Sequence, residues 1–88
     1  MRPVKTHRFG GKRYRVSVEE RIEGYHEDGR RGPRELYADP YLPPLAFLDT
    51  LVHECLHAEF PKMSEKRVDA AASNIARLLW RLGYRRKE

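Results

Sequence analysis

Prolines fence one stretch of this chain. Pro43 and Pro44 precede Leu45 to Phe60, Pro61 follows, and nothing between them is Gly or Pro. Proline suits the first turn of a helix, where its missing N–H has no partner to lose. It also pushes the residue before it out of helical geometry, here Phe60. The stretch 45–60 is therefore expected to be one helix. At about 100° per residue, Leu45, Leu48, Leu51, Val52, Cys55 and Leu56 fall on one apolar stripe. His53 and His57 fall off that stripe, on a face shared with Ala46 and Thr50. The helix can bury one flank while presenting both imidazoles to a cleft.

His53-Glu54-Cys55-Leu56-His57 reads H-E-x-x-H. Residues four apart on a helix lie one above the other. Two imidazoles so placed can grip one metal ion, with Glu54 beside them as a base. A zinc hydrolase needs this arrangement. Two histidines at this spacing are also found simply packed in a core or solvated. The offset of the pair from the apolar stripe argues for the metal.

A catalytic zinc usually takes three protein ligands and leaves a fourth position for water. Downstream candidates are Glu59, Glu65 and Asp69. Glu59 is two residues beyond His57 and points off the metal face. Glu65 opens a second helix, with Ser64 as its N-cap. Val68, Ala71, Ala72, Ile75, Leu78, Leu79 and Leu82 then recur at helical spacing and form its expected apolar face. Glu65 lies near the edge of that face, able to look toward the first helix. Asp69, one turn on, is placed to accept a hydrogen bond from the free N–H of a zinc-bound histidine. Both acids would also suit a helix N-terminus through its dipole alone. The residues themselves leave the choice between Glu65 and Asp69 open.

The chain resembles zincin metalloproteases of the gluzincin type, which carry H-E-x-x-H on one helix and a ligand Glu on the next. In thermolysin-like members the second helix reads E-x-x-x-D, and Glu65-Lys66-Arg67-Val68-Asp69 matches it. The chain is also similar to small phage and bacterial zincins, through the Pro-containing link and the closing Leu79-Trp80-Arg81-Leu82-Gly83-Tyr84. The likeness covers residues 45–84. It implies zinc held by His53, His57 and Glu65, with Asp69 hydrogen-bonded to a ligand histidine and Glu54 as general base. It also implies a peptide substrate extended along an edge strand, and a phage-encoded or bacterial setting. The spacing departs from the family pattern, because only seven residues separate His57 from Glu65. No His follows His57, which disfavours three-histidine zincins.

With 88 residues the chain makes one domain, 1–88, whose modest core would gain from a bound metal. One cysteine rules out an internal disulfide and fits a reducing cytoplasm. Cys55 is expected to be a small apolar side chain on the stripe and not a ligand. The N-terminus has no apolar signal region, and no stretch is long enough to span a membrane. The net charge of +5 gathers at both ends, in Lys5, Arg8, Lys12, Arg13 and Arg15 and in Arg81, Arg85, Arg86 and Lys87. Such charge can attract nucleic acid. Without an accompanying nucleic-acid motif, a solvated surface is favoured.

The remainder is expected to supply a small sheet. Val4 to Phe9 and Lys12 to Val18 read as a hairpin about Gly10-Gly11, with Tyr14, Val16 and Val18 on one face. His7 in the first strand is given no role. Residues 19–24 read as strand or turn and 25–33 as loop, with Asp28-Gly29 a turn and His26 no ligand. Arg34 to Ala38 reads as a third strand with Leu36 and Ala38 on one face, and Asp39 to Pro44 as a stiff link. The expected architecture is α+β, an antiparallel three-stranded sheet packed on two antiparallel helices. The expected function is zinc-dependent peptide hydrolysis. Tyr41, Tyr37 and Arg34 are candidates for stabilising the oxyanion. Two competing readings are a zinc-containing binding module without turnover and a small basic nucleic-acid-binding protein.

Overall fold

A computed structural model of the chain describes residues 4–18 and 34–86. Strands β1 (Thr6–Phe9), β2 (Lys12–Ser17) and β3 (Glu35–Tyr37) precede helices α1 (Pro44–Glu59) and α2 (Glu65–Arg81). The fold is α+β, a three-stranded sheet with two helices.

β1 and β2 form an antiparallel hairpin with Phe9 opposite Lys12. Gly10 and Gly11 have φ of 55° and 79°. A two-residue hairpin turn needs the left-handed region at both positions, which glycine enters without a steric penalty. The Gly10 N–H donates to Oε1 of Glu59 at 3.1 Å, tying the turn to the end of α1.

β3 lies beside β2 but runs parallel to it, so the sheet is mixed where an antiparallel one was expected. Parallel neighbours need a connection of a dozen or more residues, and positions 18–34 provide that length. Alternation reports which face a side chain takes and is silent on strand direction. The expected face is correct: Val16 pairs with Leu36, and both Leu36 and Ala38 are buried. The readings made for residues 19–33, His26 included, lie outside the described residues.

Pro43 is the N-cap of α1 and Pro44 its first residue, and Phe60 leaves the helix at φ −128° and ψ 71°. Ser64 caps α2, its Oγ accepting the N–H of Arg67 at 3.2 Å. The packing differs from the one-stripe expectation. Among the described residues α1 touches both the sheet and α2, while α2 does not reach the sheet. α1 is therefore the central element and needs two buried flanks. Its buried residues are Phe47 and Ala58. Ala58 borders the same cavity as Tyr14 and Leu36, and Phe47 the same cavity as Val18. Asp49, which meets α2, lies roughly 160–180° round the helix from them.

Among the described elements helix α2 packs on α1 alone, and its buried side chains form a narrow row of small residues, Val68, Ala72 and Ala76. Ile75, Leu78 and Leu82, expected in its apolar face, are 42%, 55% and 64% exposed.

Candidate metal centre

A short turn after Phe60 reverses the chain and sets α2 antiparallel to α1. Three polar pairs then step along the seam, one helical turn apart on each side. His57 Nε2 meets Glu65 Oε1 at 2.6 Å. His53 Nδ1 meets Asp69 Oδ1 at 3.1 Å. The Ser73 hydroxyl donates to Asp49 Oδ2 at 3.0 Å. Each step moves four residues back on α1 and four forward on α2, about 6 Å along both axes. The seven-residue gap between His57 and Glu65 is what this hairpin requires, because the first residue of α2 must face the last turn of α1. Small side chains at Ala72 and Ala76 allow the close helix approach that brings atoms from both helices together.

Glu65 reaches both histidines. Its Oε1 is 3.2 Å from His53 Nε2 as well as 2.6 Å from His57 Nε2, and the two Nε2 atoms are 3.1 Å apart. His53 Nδ1 faces the Asp69 carboxylate, so it carries the proton and donates it there. In the neutral ring that leaves a lone pair on His53 Nε2, which faces the carboxylate oxygen and the other imidazole. One proton on His57 Nε2 can serve only one of its two neighbours. A cation at the centre satisfies all three atoms at once. A tetrahedral ion with ligands at 2.0–2.1 Å has ligand-to-ligand edges of about 3.3 Å, which the 3.1 and 3.2 Å separations approach and the 2.6 Å separation of His57 and Glu65 falls short of. His53, His57 and Glu65 form a group that can hold a metal ion. Of the two open candidates, Glu65 lies at the convergence point and Asp69 touches the far nitrogen of His53.

Glu54 borders a cavity of about 130 Å³ together with His57, Ala58, Leu36, Glu35 and Tyr14. At ~30 Å³ per water this holds about four waters, or a peptide group with one. Among the described residues no hydrogen bond ties down the Glu54 carboxylate. Tyr41, Tyr37 and Arg34 do not border this cavity, and Tyr41 is 74% exposed. Tyr14 does border it. The alternation of β2 already placed Tyr14 on the inward face, but nothing in the sequence says which part of α1 that face meets.

Other candidates fall away from the centre. Glu59 is engaged by Gly10. His7 sits on the hairpin, 4.9 Å from the Phe9 ring. Cys55 is half-buried, and burial, followed by the nearby Glu54 charge, holds its thiol above the usual range. It lies outside the ligand group. No family model, curated protein or solved structure matches this chain.

Proposed function

We propose that the chain is a zinc-dependent peptidase of gluzincin type. The observation that carries the reading is the meeting of His53, His57 and Glu65 beside the unbonded carboxylate of Glu54. Two nitrogens and one oxygen suit zinc, and a His₂Glu set with Asp69 behind His53 is the donor chemistry of a catalytic rather than a closed structural site. Zinc held there would supply a Lewis acid able to polarise a carbonyl and acidify water.

The chain's own residues divide the remaining work. Asp69 fixes the tautomer and tilt of His53. Glu54, next to His53 in sequence but about 100° round the helix, takes no place in the ligand triangle. It accepts the proton of the attacking water and returns it to the leaving amine. Tyr14, across the same cavity, is placed to donate to the carbonyl oxygen as charge develops on it. The extended peptide lies along β3, an edge of the sheet that packs on α1. A cavity this small favours a narrow protein substrate.

The test is metal content by mass spectrometry on protein purified without added metal, for wild type and His57→Ala together. One zinc per chain in the wild type, lost in the variant, is expected. Glu54→Gln should then keep the zinc and lose about 10²–10⁴-fold of peptide cleavage in a library screen. Zinc retained with no cleavage by the wild type would reject the peptidase reading in favour of a binding module, and cleavage unchanged in Glu54→Gln would reject Glu54 as the base.

A further inference from the structure

Helix α1 carries two separate grooves, both of them alongside α2. One carries His53 and His57. The other, roughly 120–180° round the helix, carries Leu48 and Leu51. This second groove opens into a cavity of about 290 Å³ floored by Phe47, Leu48, Leu51 and Trp80 and edged by Arg85 and Arg86. Trp80 is fifteen residues beyond Glu65 on α2, about 22 Å along the helix, so the cavity is remote from the metal centre.

Its lining is chemically lopsided. The floor is apolar, and both charged groups are guanidinium ions seated against aromatic rings. Arg85 lies 3.3 Å over the Trp80 ring and Arg86 5.1 Å over the Phe47 ring. Arg85 is also held by its Nη1, which donates to the carbonyls of Trp80 at 2.7 Å and Tyr84 at 3.2 Å. Gly83, with φ of 95°, lets the chain turn back after α2 and bring Arg85 over the indole. One side of this guanidinium is thus fixed to main chain, and among the described residues its Nε–Nη2 edge takes no partner. A planar N–H pair in a fixed orientation matches the two oxygens of a carboxylate.

We propose that this groove binds a small apolar carboxylate, with the hydrocarbon on the Phe47, Leu48, Leu51 and Trp80 floor and the carboxylate on Arg85. A volume of 290 Å³ accommodates about ten heavy atoms at ~30 Å³ each, which is the size of an eight-carbon acid. Charge complementarity selects the acid over a neutral hydrocarbon. The planar fork selects a carboxylate over a cation or an amide.

Trp80 is the only tryptophan in the chain, so its fluorescence reports the groove directly. The full-length protein is titrated with octanoate and, in parallel, with 1-octanol. Saturable one-to-one binding is expected, with octanoate the tighter ligand. Arg85→Gln should weaken octanoate about tenfold and change 1-octanol less than about twofold, since it removes a charge-assisted pair and little apolar surface. Arg77→Gln, a charge change on α2 outside the groove, should alter neither. Equal affinity for acid and alcohol in the wild type would overturn the carboxylate assignment without needing any variant. A response that never saturates, or one that follows protein concentration instead of ligand, would overturn the site itself. The latter result would mark the face as a contact between copies of the chain.

Discussion

Asp69 shows what a single side chain does at this centre. Imidazole can turn either nitrogen toward a metal, and without a partner His53 would spend part of its time with the wrong one protonated. The contact between Asp69 and Nδ1 removes that freedom. Asp69→Ala should therefore leave one metal per chain at saturation but weaken affinity about 10–100-fold, read by competition with a chromophoric chelator. Loss of all binding would make Asp69 a ligand. In the proposed mechanism Tyr14 would act at a different step. Tyr14→Phe should keep the metal and lower the rate of peptide cleavage about 10²-fold, because it removes one donor and no packing. An unchanged rate would assign carbonyl stabilisation to another group. Cys55 is the contrasting residue, a half-buried thiol kept protonated by its surroundings and absent from the ligand triangle. Cys55→Ala should bind metal as the wild type does.

At the scale of elements, the centre exists because two helices lie close. Glu65 comes from α2 and both histidines from α1, so any change in helix separation moves one ligand against the other two. Ala72 is fully buried on the inner face of α2. Ala72→Leu should cost about 1–3 kcal/mol by overpacking and weaken metal binding further than its effect on folding explains. Ala70→Leu, an exposed change of equal size on the same helix, should stay within about ±0.5 kcal/mol and leave affinity unchanged. The helices and their caps were legible in the sequence because prolines and Ser64 act locally. The meeting of His53, His57 and Glu65 was legible for a related reason. Glu65, Asp69 and Ser73 repeat every four residues forward, as His57, His53 and Asp49 do backward, so a helical hairpin must pair them. The direction of β3 and the exposure of Ile75, Leu78 and Leu82 were not legible. Both depend on which elements lack a second neighbour, a property that no local pattern encodes. Tyr14 was missed on the same ground, since a strand's inward face does not say which residues of α1 it will meet.

For the molecule as a whole, a metal held at this centre would be linked to the core. The buried apolar residues among those described are Leu36, Ala38, Phe47, Ala58, Val68, Ala72 and Ala76. Four of the seven are alanines, and among the described elements α2 packs on α1 alone. A core built of such small side chains removes little apolar surface from water, so the helix hairpin needs another tie. An ion held by His53, His57 and Glu65 joins the end of α1 to the start of α2 and binds only when both are folded. Free ion at a hundred times its dissociation constant then adds about 2.7 kcal/mol to stability. For a domain of this size each kcal/mol is worth roughly 4–8 °C in Tm. Removing the metal with a chelator should therefore lower Tm by about 10–20 °C, and adding zinc back should restore it. His57→Ala should start near the chelated value and respond to neither treatment. The variant is the decisive arm, because a chelator that destabilised the protein by a route other than the centre would lower both melting curves alike. A wild-type Tm indifferent to chelator and zinc would mean that the hairpin closes without an ion. The short Phe60–Ser64 turn and the Ser73–Asp49 hydrogen bond would then hold the helices, and the three ligand atoms would be brought together by the fold before any metal arrives.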